Sequence, residues 1–164
     1  MTKYPLAQLV LIKQKRLEEA ERELAKRREE LAEEERKLEK AKKVLQEVLD
    51  HKQEKLNQLR AELDAGTTTD KVEQAKIYLD TVEEKRIDKD AKVKKQQLAV
   101  EEAEKAVDEA RKTVFKKQAD VEKLNIHQEE WQKEQHLLEK QEEDKQTEET
   151  GTAMFIRKKR MKGG

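Results

Sequence analysis

The sequence predicts an all-α protein: a long antiparallel two-helix coiled-coil hairpin with a short C-terminal tail. Three observations carry that reading. A seam at 3-4 spacing runs from Val72 to Leu138 with no Gly or Pro inside it. A second seam, Leu17, Leu24, Leu31, Leu38 and Leu45, repeats every seven residues. Between them lies Gly66, the only glycine between Met1 and Thr150. Apolar residues at this period form one stripe on a helix, and such a stripe needs a partner helix to cover it.

Composition narrows the class further. The chain is 46% charged and 34% hydrophobic, with a mean hydropathy of −1.21. A chain this polar is either disordered or built of long helices with a narrow seam, and the heptads select the second. With 38 basic and 38 acidic residues the formal net charge is zero, so no global pull toward nucleic acid or an anionic membrane is expected. The absence of cysteine excludes disulfides, thiolate zinc sites and a cysteine nucleophile. The apolar run Leu6–Ile12 is broken by Gln8 and falls far short of the ~20 residues of a membrane span. It also lacks the pattern of a signal peptide. A cytosolic protein is expected.

The elements follow in order. Residues 1–150 read as a single coiled-coil hairpin and residues 151–164 as a basic tail. Pro5, the only proline, suits the start of helix one, because its missing N–H is unneeded there. Helix one is placed at about 6–63 from its leucine seam. Its companion positions Ala20, Arg27, Glu34, Ala41 and Val48 make the seam partly polar. After Leu45 the leucines step by four to Leu49, Leu56 and Leu63, with Leu59 beside them, a stutter that would locally unwind a supercoil. The turn is placed at 64–70, with Gly66 as a left-handed stop. Thr69 or Asp70 is the expected cap of helix two, with Glu73 completing a capping box after Asp70.

Helix two is placed at about 71–148. One core row includes Val93, Val100, Val107 and Val114, and the other includes Ala75, Val82, Ala103 and Ala110. So short a turn makes the helices antiparallel neighbours. Facing residues should then sum to a constant, and 134 sets Leu24 against Ala110, Ala20 against Val114, Ala41 against Val93 and Leu38 against Gln96. Large residues meet small ones, which allows close packing. The polar layers Arg27, Glu34, Lys89 and Lys117 weaken the seam while fixing its register. Helix two is the longer, so it overhangs helix one by a few turns, and Gly151 is the expected end of it.

Three stretches suggest function. At the end where the termini meet, Leu9, Val10, Leu11 and Ile12 are four apolar residues in a row, and Ile126, Trp131, Leu137 and Leu138 join them from helix two. Two helices cannot cover all of these, so a partner is expected to grip this end. The alternative is self-association or a small bundle closed by the tail. Near the turn, Ile77 and Tyr78 beside Leu79 read as a broader core around the stutter rather than a docking face. The tail, Met154-Phe155-Ile156 followed by five basic residues, reads as solvated in preference to a docking peptide or nucleic-acid patch. His51, His127 and His136 show no metal-ligand spacing. No phosphate cradle or nucleophile motif is present. The expectation is a non-enzymatic protein with no cofactor, no metal and no small-molecule substrate.

The opening Tyr4-Pro5-Leu6-Ala7-Gln8-Leu9-Val10-Leu11-Ile12-Lys13, leading into Arg16-Leu17-Glu18-Glu19-Ala20-Glu21, resembles the start of the YscO/FliJ family of type III secretion central-stalk proteins, most of all its chlamydial YscO-type members. The resemblance implies a helical hairpin whose paired-terminus end enters the hexameric ring of the secretion ATPase and promotes its assembly or activity. It also implies ties to substrate chaperones and the export gate, at the cytoplasmic base of the apparatus in bacteria and peripheral to the membrane through partners. By that match Leu6, Leu9, Val10, Ile12, Lys13 and Arg16, with Trp131 opposite, are the expected ring contacts. Two other readings stay open. One is a structural spacer or scaffold coiled coil with no ATPase partner. The other is a nucleic-acid-binding helical arm, which the even mixing of Lys/Arg with Glu/Asp disfavours.

Overall fold

A period of seven with good helix formers between the seam positions dictates two helices, and two helices form. The computed structural model describes residues 2–163. Helix α1 spans Ala7–Ala65 and helix α2 spans Thr69–Lys162. The fold is an all-α helical hairpin, with no strand among the described residues. Contacts group the chain into two units, Ala20–Val114 and Met1–Glu19 with Phe115–Gly164.

The unit Ala20–Val114 contains the turn and the valine seam. Its buried residues are Ala20, Leu24, Val82, Val93, Val100, Val107, Ala110 and Val114. Each is a seam position in the heptad frame of the sequence, so the period alone located this core. The register is close to the expected one. Ala20, Leu24, Ala110 and Val114 are buried as the pairing requires. Gln96, however, reaches past Leu38 and donates to the backbone carbonyl of Glu34 at 3.0 Å as well as to its carboxylate. The polar layer is therefore hydrogen-bonded across the helices, which holds the carboxyl of Glu34 below its usual range, Gln96 first and Lys37 second.

The turn is tighter than expected. Only residues 66–68 separate the two helices. Gly66 has φ 85°, the left-handed conformation that costs an L-residue roughly 1–2 kcal/mol, and its N–H donates to the carbonyl of Leu63 at 3.3 Å. Because α2 begins at Thr69, neither Thr69 nor Asp70 precedes it as a cap. Thr68 holds that position, its carbonyl accepting from Val72 N–H at 3.3 Å. Asp70 lies in the first turn, where a carboxylate meets the positive end of the helix dipole.

The stutter is not seen. Leu49 and Leu63 are exposed, at 36% and 52%, and the seven-residue frame of Leu45 continues instead through Lys52 and Leu59, all three half-buried. Lysine occupies a seam position because its stem packs while its ammonium reaches out. Here the ammonium of Lys52 bonds Glu83 at 2.5 Å, and Arg86 grips the same carboxylate with Nε and Nη2 at 2.9 and 2.6 Å. The broader core expected around Ile77 and Tyr78 is absent too. Ile77 is 67% exposed, and Tyr78 turns to His51, whose Nε2 lies 2.6 Å from the hydroxyl, with Lys55 over its ring.

Arg86, then Lys52, lower the Glu83 carboxyl from 4.5 to about 2. A carboxyl lowered on folding contributes stability that is complete above the unfolded value and is lost as pH falls from about 4.5 through about 2. Glu83→Gln is therefore expected to flatten the acid limb of the stability curve between those values and to change little at pH 7 beyond the lost ion pairs. Urea midpoints at pH 2 to 7 for both proteins check this, and parallel acid limbs would contradict it.

The tail is the clearest departure from expectation. Gly151 does not end α2, which continues through it to Lys162. Among the described residues Gly66 is the one glycine with positive φ, so Gly151 keeps the helical backbone, at a cost of roughly 1 kcal/mol against alanine. With good helix formers on both sides and no proline, that cost is too small to stop the helix.

Candidate protein-binding end

The unit Met1–Glu19 with Phe115–Gly164 holds the residues expected to make contacts. It is organised by Tyr4, which lies outside both heptad seams of the sequence. Pro5 and Leu6 form a turn before α1, and Ala7 N–H donates to the Tyr4 carbonyl at 3.2 Å. This turn sets the Tyr4 ring on α2. The ring meets the edge of Trp131 at 5.4 Å between centroids, tilted 62°, an arrangement that adds roughly 0.5–1.5 kcal/mol to the burial itself. The Tyr4 hydroxyl and Nδ1 of His127 share a hydrogen bond at 2.5 Å. Only 7% of Tyr4 remains exposed. Both tyrosines of the chain thus pair with a histidine.

The seven expected contact residues divide once this geometry is in place. Val10 is buried at 8% exposure, so it belongs to the packing of this end and not to its outer surface; this corrects its placement among the contacts. Leu6 and Trp131 are half-buried. Lys13 is half-buried and lies 3.7 Å from Asp120. Leu9 and Ile12 face outward, at 38% and 48%, and Arg16 is exposed. Leu11 at 65% joins them. On α2, Phe115, Ile126 and Leu137 are all half or more exposed. Their spacing of eleven keeps them on one face of a helix, a signal that a search for sevens passes over. Leu138, expected in the seam, is 56% exposed because the packing ends before it.

No group of three or more His, Cys, Asp or Glu among the described residues is placed to hold a metal. No helix among them is long and apolar enough to cross a membrane. What the end offers is an apolar collar on a scaffold locked by aromatic contacts.

Seam, turn and collar together define an all-α helical-hairpin protein that leaves apolar side chains exposed at its terminal end. A sequence model of YscO-like proteins matches residues 1–161. The solved structure of CT670 from Chlamydia trachomatis, named there as a YscO homolog, is similar over 98% of this chain and 99% of that one, at 32% identity and a TM-score of 0.90. Comparison with curated proteins gave no match. The chain belongs to the YscO-like family, which associates it with type III secretion.

Proposed function

We propose that this protein is a non-enzymatic central-stalk component of a bacterial type III secretion system, acting in the cytoplasm at the base of the apparatus. Its terminal end enters the ring of the secretion ATPase and promotes assembly or activity. The observation that carries this reading is the collar of Leu9, Leu11 and Ile12, left in water at the foot of α1 while Tyr4 and Val10 beneath it are buried. A locked end loses little conformational freedom on docking, so its apolar area converts efficiently into affinity. Arg16 follows the collar on the exposed surface and supplies a charge for acidic loops of a ring. Contact with substrate chaperones and the export gate belongs to the same reading, without assigned residues.

The test is the ATPase rate and hexamer fraction of the cognate secretion ATPase with and without this protein. A stoichiometric rise is expected, and Leu9→Asp with Ile12→Asp is expected to abolish it while far-UV helicity stays within error. Both side chains already face water, so the fold does not need them apolar. Normal stimulation by the double variant would move the contact elsewhere. No effect of the wild-type protein at micromolar excess would favour a spacer role.

A further inference from the structure

Beyond the collar, α2 runs on without a partner. Every described residue from His136 to Gly163 is exposed, although the segment is helical to Lys162. Most helical stability in proteins comes from packing one face against a partner, which this segment lacks, and no ion pair is formed within it. Its charges are sorted instead. Residues 139–149 carry six acidic and two basic side chains, and residues 151–163 carry five basic and no acidic ones. Gly151 stands between the two halves, and the chain passes it in helical conformation with open space where a Cβ would be. A shallow depression there is lined by Glu143, Gln146, Thr147, Thr150 and Met154.

We propose that this segment binds the same segment of a second copy, antiparallel, with the two-fold axis at Gly151. A helix acidic in one half and basic in the other is self-complementary only when its partner runs the opposite way. The stripe Asp144, Thr147, Gly151, Met154, Lys158 and Met161 has the 3-4 spacing of a helix seam. About a two-fold at Gly151, Asp144 lies opposite Lys158, Glu143 opposite Lys159 and Glu142 opposite Arg160, each pair formed twice. Small residues at the centre let the backbones approach, and Met154 packs beside them. Two like-charge pairings, Lys145 with Arg157 and Lys140 with Lys162, oppose the arrangement and are outnumbered by the three attractive ones. The overlap of residues 140–162 spans about 35 Å, enough for a weak, concentration-dependent dimer held partly by charge.

Sedimentation equilibrium of the full chain tests this without any ATPase, so its outcome is separate from that of the stalk reading. A dimer is expected at roughly 100 µM in about 0.05 M salt and a monomer in about 0.5 M salt, where the Debye length is short. One variant makes both halves of the charge pairing acidic, with Lys158→Glu, Lys159→Glu and Arg160→Glu. The other makes both halves of that pairing basic, with Glu142→Lys, Glu143→Lys and Asp144→Lys. Each alone is expected to be monomeric, and an equimolar mixture to dimerise. Because the chain has no cysteine, Gly151→Cys introduces a unique thiol on the proposed axis. It is expected to form a disulfide-linked dimer under mild oxidation, whereas Met161→Cys is not. A wild-type monomer under all conditions, or cross-linking that favours Met161→Cys, overturns the proposal. So does failure of the two variants to associate.

Discussion

Val107→Asp lowers the melting temperature by roughly 6–12 °C, the shift expected of about 3 kcal/mol in a chain of this size. Val107 is 5% exposed, in the middle of the run of buried valines. The substitution removes apolar burial and puts a carboxylate into the seam, where an unpaired charge is costly. The expected register places Arg27 opposite, but its guanidinium is already held by Glu23 at 3.0 Å and Glu30 at 3.2 Å on its own helix. Recruiting it would break those contacts, so little is recovered. Val107→Ala separates the two costs, since it loses only packing, roughly 1–2 kcal/mol. Thermal melts followed by circular dichroism check the series. Equal stability of the aspartate and alanine variants would mean that the charge escapes to water and that the seam is looser than its burial implies.

Tyr4→Ala releases the first turns of α1 without melting the rest. The ring is nearly fully buried against His127 and Trp131, and deleting a packed aromatic costs roughly 3–5 kcal/mol. A terminal segment opens by itself when its local contacts fail, so the loss appears locally. Amide exchange at residues 7–13 is expected to accelerate by two orders of magnitude or more, and Trp131 emission to shift to the red. Tyr4→Phe keeps the packing and loses only the hydrogen bond, roughly 1 kcal/mol, so its exchange should rise by less than tenfold. Protection unchanged in the alanine variant would show that Val10, not Tyr4, anchors this end. The same variant distorts the foundation of the collar, so under the proposed function its effect on the secretion ATPase tests whether the collar must be held rigid.

Residue spacing revealed most of the helical architecture and less of the terminal end. The valine and leucine seams were legible because burial in a two-helix pair follows one period, and every buried residue of the unit Ala20–Val114 obeys it. The frame after Leu45 was misread because counting leucines treats lysine as surface. Lys52 keeps the frame through an aliphatic stem and a partner, Glu83, that lies 31 residues away. Gly151 was misread because a glycine marks a helix end only where the backbone turns left-handed, as at Gly66. The collar was legible as an excess of apolar residues, but which of them face water was not. That depends on Tyr4, whose contacts lie 123 residues along the chain at His127. No local pattern announces such a contact.

The three-residue turn also carries a consequence for the order of folding. Contacts beside it join residues close in sequence, such as His51 and Tyr78, 27 apart, while Tyr4 and His127 close a loop of well over a hundred. Loop-closure entropy rises with separation, and paths that form short loops first are the faster ones. The two helices are expected to zip from the turn, each heptad bringing the next within reach, and to reach the aromatic contacts last. Unzipping runs in reverse. The end that carries the collar is then the first to open and the last to close, and a chaperone or protease acting on the partly folded chain would meet that end first.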